Sequence, residues 1–296
     1  MTAYNRESYI ADAVNSVLAS THTDFEMIIV DDCSTDHTVD IARAFEVNDA
    51  RIKVYKNEKN LGDYPNRNKA ASYAKGKYLK YLDSDDVIYP WGLEAMVFCM
   101  EKFPDAGFGL IAKNMEVSSF YPLKLSGEQA YKAYFFHCAL LTIAPSGSII
   151  KRAFFESVGG FSGKPYIGDT EMWLKLAQQS SVVCMPLDLI WWRQHEQQQV
   201  QEGMGNAFYE KQTLIMHTAF LKDESCPLQR KDAAIALRNQ RNIYTRKSIR
   251  FFLHFQFAKG INLIKNNRLN FIDFVYALKK KQRSQLKYLN EDFPLP

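Results

Sequence analysis

The chain has 296 residues, of which 47% are hydrophobic and 24% charged. That is ordinary globular usage, which excludes a disordered or collagen-like chain and sets a prior of one or two domains. The formal net charge of +4 hides an asymmetry, because residues 1–224 sum to −7 and residues 225–296 to +11.

Glu7 to Leu18 carries Ile10, Ala13, Val14, Val17 and Leu18 at helical spacing. Phe25 to Val30 reads as a buried strand that ends at Asp31-Asp32, and Ser34-Thr35-Asp36 reads as a turn and helix cap before a helix to about Phe45. Arg51 to Tyr55 alternates like a strand, and Pro65 to Ala74 suits a helix stopped near Gly76. Lys77 to Leu82 predicts a strand that runs into Asp83-Ser84-Asp85-Asp86, followed by a helix from Pro90 to Lys102.

Further on, Gly107–Lys113, Ser146–Ile150 and Ser181–Met185 read as strands, and Asp169–Gln179 as a helix. From Asn206 the pattern is helical to the end, with Phe251, Phe255, Ile261, Leu263, Phe271, Phe274 and Leu278 among its large apolar positions. Strand–helix alternation predicts an α/β fold with a mostly parallel, Rossmann-like sheet and a helical C-terminal extension. Both acidic clusters fall at strand carboxyl ends, the edge where open α/β sheets bind ligands.

Five cysteines (Cys33, Cys99, Cys138, Cys184 and Cys226) show no C-x-x-C spacing, so neither a redox motif nor a paired zinc site is expected, and a reducing cytoplasm is the natural home. No apolar run reaches the roughly 18 residues that cross a bilayer, so no membrane span is expected. Asn5, Arg6 and Glu7 argue against a signal-peptide core. No P-loop and no G-x-G-x-x-G occurs, which removes the main support for ATPase and dinucleotide readings.

Three carboxylates within four residues, Asp83, Asp85 and Asp86, repel one another unless a cation neutralises them, and carboxylate oxygens suit Mg²⁺ or Mn²⁺. The plainer reading is a solvated turn that caps the next helix. Adjacent side chains on a strand point to opposite faces, so one of Asp31 and Asp32 can face a ligand while the other caps a loop. Asp169 is either a helix cap or a carboxylate placed to take a proton from an attacking hydroxyl. Arg193 suits phosphate oxygens, and His195 suits phosphate or a metal, unless it is simply structural.

The ordered set Thr2-Ala3-Tyr4-Asn5-Arg6, Ile29-Val30-Asp31-Asp32-Cys33-Ser34-Thr35-Asp36, Asn60-Leu61-Gly62 with Arg67-Asn68, and Leu82-Asp83-Ser84-Asp85-Asp86 resembles family 2 glycosyltransferases of the A-type fold. Val158-Gly159-Gly160-Phe161, Gly168-Asp169-Thr170-Glu171-Met172-Trp173-Leu174 and Arg193-Gln194-His195 continue the resemblance over roughly residues 1–200. It implies a catalytic domain over 1–204, with a nucleotide-binding half to about 105 and an acceptor half from 106, followed by a basic helical region over 205–296.

The resemblance also implies transfer of a sugar, with inversion, from a nucleoside-diphosphate donor (UDP favoured by analogy) to a polysaccharide or lipid-linked hydroxyl. Thr2, Tyr4, Asp31, Asp32, Arg67, Asp83, Asp85 and Arg193 are then expected at the nucleotide. Asp85, Asp86 and His195 are expected at a Mg²⁺ or Mn²⁺ ion, and Asp169 is the expected general base.

The chain departs from the family pattern in three places. Met1 directly precedes Thr2, where an apolar strand is usual, so either a central strand is missing or the start lies upstream. Cys33 stands where a small residue is commoner, and Gly168 replaces the acidic residue before the base.

Two rival readings are nucleotidyl transfer, which does not need Asp169, and a degenerate nucleotide-sugar binding protein. The basic region 225–296 is either a structural cap or a surface for an anionic membrane, which would make the protein peripheral on the cytoplasmic face. Nucleic acid is not expected, because no reading module accompanies the charge.

Overall fold

The structure is a computed structural model that describes residues 1–112, 120–195 and 207–278. It divides into two compact units, residues 1–130 with 139–195, and 131–138 with the chain from 196 onward.

In the first unit, β1 (Thr2–Ala3), β2 (Met27–Asp31) and β3 (Ile52–Lys56) form a parallel sheet in the order β1-β2-β3. All five residues of β2 are buried, which a strand covered on both faces requires and which explains the unbroken apolar run Met27-Ile28-Ile29-Val30. Three crossover helices, α1 (Ile10–Leu18), α2 (Thr38–Asn48) and α3 (Asp63–Tyr73), connect these strands to one another and to the next sheet. The helix α3 packs on β2 through Ala70 against Ile28 and Val30, with Tyr55 stacked on Tyr73 at 3.9 Å.

A second sheet is mixed. It runs β4 (Tyr78–Leu79), β8 (Ser148–Lys151), β6 (Phe108–Ile111), β9 (Val182–Met185) and β7 (Leu123–Leu125), and only β6 and β9 are parallel. Elsewhere β5 (Val87–Ile88) pairs with β10 (Ile190–Trp191), antiparallel. The helices α4 (Gly92–Lys102), α5 (Gly127–Lys132), α6 (Arg152–Ser157) and α7 (Gly168–Gln179) complete the connections. From α7, Trp173 is fully buried and donates its indole N–H to the Ile143 carbonyl at 2.8 Å. Parallel pairing is thus concentrated in the first 56 residues.

The expected strand over Lys77–Leu82 is regular only at Tyr78–Leu79. Beyond it, Lys80 turns its buried ammonium onto the carbonyls of Tyr81 and Ser146. Burial pushes that group down to about 7.

The strand β1 is two residues long, bonded to β2 on one side and bridged to Asp83 in parallel on the other. Where β1 would continue backward, a groove of about 620 Å³ opens, lined by Met1, Met27, Ile28, Leu79, Leu82 and Ile149 among others. The Met1 ammonium is buried there on the Ile28 carbonyl at 2.7 Å, and burial pushes its pKa down to about 5.

The second unit is helical: α8 (Ala207–Lys222), α9 (Arg230–Leu253), α10 (Phe257–Asn267) and α11 (Phe271–Leu278). Its core is Leu214, Tyr244, Leu263 and Leu269, with Phe251, Ile264 and Phe274 against it. Among the described residues no helix is long and apolar enough to cross a membrane.

Candidate active site at the carboxyl edge of the parallel strands

The chain leaves β1 through Tyr4 and Asn5 and β2 through Asp31 and Asp32, and the two exits are stitched together. Asn5 accepts the Thr35 N–H on its side-chain oxygen at 2.9 Å, and its own N–H reaches Ser34 Oγ at 2.9 Å. The Arg6 N–H reaches Thr38 Oγ1 at 2.7 Å, and Glu7 Oε2 accepts the His37 N–H at 2.9 Å. These contacts give physical roles to Asn5, Ser34, Thr35 and Thr38, which the candidate site residues did not include. The turn needs Cys33 at φ 68°, a left-handed conformation that explains why small residues are commoner there.

Asp31 and Asp32 are both buried and both hold loops. Asp31 accepts the Ser34 N–H at 2.9 Å and the Ser34 hydroxyl. Asp32 accepts Asn57 Nδ2 at 2.7 Å and the N–H groups of Leu61 and Gly62 at 2.8 and 2.9 Å. They therefore shape the rim from below. Thr2 is buried in β1, whereas Tyr4 stands 45% exposed at its end.

Arg67, expected at the nucleotide, lies inside the protein at 6% exposure. It bridges Asp63 at 2.8 Å and Asp83 at 2.7 Å. Burial alone would raise the Asp83 pKa, but the Arg67 charge and hydrogen bond, with Lys80, more than offset it and hold the carboxyl below its usual range. Arg67 therefore supports the floor of the site and keeps Asp83 ionised.

Asp85 sits higher. Its Oδ2 accepts Arg6 Nε at 3.1 Å and faces His195 Nε2 at 2.9 Å, and its backbone carbonyl accepts Arg193 Nε at 3.0 Å. The His195 ring stacks on Tyr9 at 4.7 Å, and Arg193 pairs with Asp12 at 2.8 Å. Residues 193–195 thus close on the acidic loop, and Arg6, which was not among the candidates, joins them. Arg6 was legible only as a basic side chain beside Tyr4-Asn5.

Asp86 is turned another way. It is buried, and its Oδ1 accepts the Arg193 N–H at 3.3 Å. Burial and the neighbouring Asp83 charge push its carboxyl up to about 7.

Among the described residues no three of His, Cys, Asp and Glu converge on one point. Asp85 and His195 meet only as a pair, and Asp86 is not brought to them. Such a donor set does not fit a closed protein cage. It does fit a cation that takes one or two protein ligands and completes its shell with substrate phosphates and water, the usual habit of Mg²⁺.

Asp169 opens α7 beside this network. Its N–H meets Tyr64 Oη at 3.3 Å, and its Oδ1 is shielded from solvent without a hydrogen-bond partner. Burial raises its carboxyl most, Arg67 opposes this, Asp63 adds to it, and the result is a pKa pushed up to about 7. The Gly159-Gly160-Phe161 turn upstream is clamped by Asn68, which donates to the Phe161 carbonyl at 2.8 Å and accepts its N–H at 2.9 Å. A Cβ on Gly160 would fall 2.6 Å from Asn68 Oδ1, so the Asn68 clamp and the second glycine require each other.

The order of motifs, the parallel strands and the acidic edge agree with one family, and the sequence profile described as "Glycosyl transferase family 2" matches residues 1–159. The chain belongs to that family.

Among family 2 relatives, the Bacillus subtilis (strain 168) teichuronic acid biosynthesis glycosyltransferase TuaG is 46% identical over 116 residues, covering 38% of this chain and 46% of that protein. The Escherichia coli enzyme named UDP-Glc:alpha-D-GlcNAc-diphosphoundecaprenol beta-1,3-glucosyltransferase WfgD is 29% identical over 187 residues, 62% of this chain and 70% of the other. The chain therefore matches less than half the length of the B. subtilis relative.

The solved structure of S. aureus TarS 1-349 in complex with UDP-GlcNAc superposes with a TM-score of 0.70 at 19% identity, covering 97% of this chain and 82% of that one. The mannosyltransferase PcManGT from Pyrobaculum calidifontis, in complex with GDP-Man and Mn²⁺, superposes at 0.60 and 13% identity, covering 94% and 86%. These two structures establish the A-type fold.

Proposed function

We propose that the protein transfers a sugar, with inversion, from a nucleoside-diphosphate donor to a hydroxyl of a polysaccharide or lipid-linked acceptor in cell-surface glycan synthesis. The observation that carries this reading is Asp169. Its shielded, unpartnered Oδ1 and a pKa near 7 make it a base poised at working pH, beside a floor of carboxylates that a metal-bound diphosphate would neutralise.

Ionised Asp169 accepts the proton of the acceptor hydroxyl. The acceptor oxygen bonds to the anomeric carbon from the face opposite the diphosphate, the anomeric carbon–oxygen bond to the diphosphate breaks, and the nucleoside diphosphate leaves with that electron pair. Asp85 and His195 would hold Mg²⁺ or Mn²⁺ with the diphosphate, and the ion would supply Lewis-acid stabilisation of the leaving group. Arg6 and Arg193 orient Asp85 and add positive charge at the rim. Tyr4 offers its exposed ring to the nucleoside, with Thr2, Asp31, Asp32, Arg67 and Asp83 shaping the pocket behind it.

A UDP-sugar is the preferred donor, by analogy with WfgD as named and with TarS bound to UDP-GlcNAc. The reading puts the reaction in the cytoplasm, where cysteines persist without disulfides. The basic region 225–296 is read as meeting an anionic membrane surface.

The test is incubation with a panel of nucleoside-diphosphate sugars and candidate acceptors, with Mn²⁺ or with chelator. Release of nucleoside diphosphate with one donor, dependent on Asp169, supports the reading. Release of pyrophosphate from nucleoside triphosphates would establish nucleotidyl transfer instead, and binding without turnover would mark a nucleotide-sugar binding protein.

A further inference from the structure

The helix α11 is built inside out. Its one charged residue, Asp273, is buried and held by Arg241 from α9 through two hydrogen bonds, at 2.8 and 2.6 Å. Phe274 packs against the core, but Phe271, Ile272 and Leu278 face the other way, 81%, 62% and 77% exposed. The neighbouring segment repeats the pattern. Leu263 of α10 enters the core while Phe257 and Ile261 stand outside, and Phe255 before it is 82% exposed. Exposed apolar residues scattered singly need no explanation, but seven between Phe255 and Leu278, on and beside two successive amphipathic helices, mark a candidate binding surface.

Charge identifies the partner. Residues 233–290 contain thirteen Lys and Arg and a single acid, Asp273, which is the one turned inward. Lys259, Lys265 and Arg268 are exposed beside the apolar residues, and the sequence continues from Leu278 as Lys279-Lys280-Lys281-Gln282-Arg283. Apolar residues flanked by cations and free of outward carboxylates match the interface of an anionic bilayer, where rings reach the acyl boundary and Lys and Arg meet headgroups. Two copies of this face, each so basic, would repel one another.

We propose that the outward face of α10 and α11, with Phe255 before it, inserts into the headgroup region of anionic membranes. This rests on the membrane contact proposed for residues 225–296 and is independent of sugar transfer. It adds that the contact is an apolar insertion by a particular face as well as an electrostatic one.

The test uses the full chain and phospholipid vesicles with and without phosphatidylglycerol. Phe271→Trp should emit at long wavelength in buffer. It should shift to the blue on anionic vesicles and be quenched by lipids brominated near the headgroup end of the acyl chain, a response absent in neutral vesicles. The variant Phe255→Ser with Phe271→Ser and Leu278→Ser, all solvent-exposed, should keep the wild-type circular dichroism and melting temperature while losing tenfold or more in vesicle partitioning.

Salt-sensitive binding that the triple substitution leaves unchanged would overturn the insertion face and leave the electrostatic contact standing. No binding of the wild type at low salt would overturn both. Blue emission from Phe271→Trp in buffer, unmoved by vesicles, would show that a second copy or residues 279–296 already cover the face, and that too would overturn the proposal.

Discussion

The ring of Tyr64 lies flat against the backbone of Gly168, so close that a Cβ there would fall 2.5 Å from the ring carbon bearing the hydroxyl. The same hydroxyl meets the Asp169 N–H at 3.3 Å. The glycine that departs from the family pattern thus makes room for an aromatic residue that seats the candidate base.

The contact predicts a coupled pair. Gly168→Ala should lower stability by about 1–3 kcal/mol, the usual cost of overpacking a site that cannot relax. Adding Tyr64→Ser should recover a good part of that loss, because the obstructing ring is gone. Thermal melts of the two single variants and the double variant check this. Strict additivity would mean that the ring does not exclude the side chain.

Asp169→Asn is nearly isosteric and should leave donor affinity unchanged while cutting transfer roughly 10²-fold or more. In the wild type, kcat/KM should rise as pH climbs through about 7, because the base must lose its proton and its carboxyl is pushed up to about 7. The stability effect has the opposite sign. A carboxyl with a raised folded pKa contributes stability below its unfolded pKa near 4 and loses it as pH rises through about 7. The Asn variant should therefore melt no lower than wild type at pH 8. An Asn variant with intact specific activity would reduce Asp169 to a helix cap.

Asp85→Asn should weaken nucleoside-diphosphate binding in Mn²⁺ about tenfold or more, with little change in chelator, as expected for loss of a ligand or its immediate partner. Isothermal titration in the two buffers reads the ratio. Equal affinities with and without metal, in wild type and variant alike, would remove the ion from the donor site.

The groove beneath Met1 should accept five apolar residues fused ahead of it as a parallel strand. Burying each Val or Ile side chain is worth about 1.5–3 kcal/mol at most, so the melting temperature should rise clearly. The fusion should also remove an acid sensitivity. With the Met1 amine pushed down to about 5 in the fold, the unfolded chain binds the extra proton between about pH 5 and 8, and native stability falls as pH drops through that window. Melts of both forms from pH 5 to 8 test this, and parallel pH profiles would show that the terminus is not the cause.

What local pattern encodes was legible in the residues. The continuous run Met27-Ile28-Ile29-Val30 determines a buried strand, the spacing of Ile10, Ala13, Val14 and Val17 a helix, and the carboxylates at Asp31-Asp32 and Asp83–Asp86 an acidic edge at the strand ends, because burial periodicity and strand ends are short-range properties. The ordered motifs also determined the family.

The tertiary fold alone decided what each charged group does, since a carboxylate's role depends on partners far away in sequence. Arg67 became an interior brace only because Asp83 comes up beside it, and Asp85 met His195 across 110 positions. Asp86 turned to the Arg193 backbone, and the outward apolar face of α11 follows from Arg241, 32 positions away, drawing Asp273 inward. Periodicity fixes which residues share a face of a helix, but whether that face meets the core or the outside is settled by the packing of the rest of the chain.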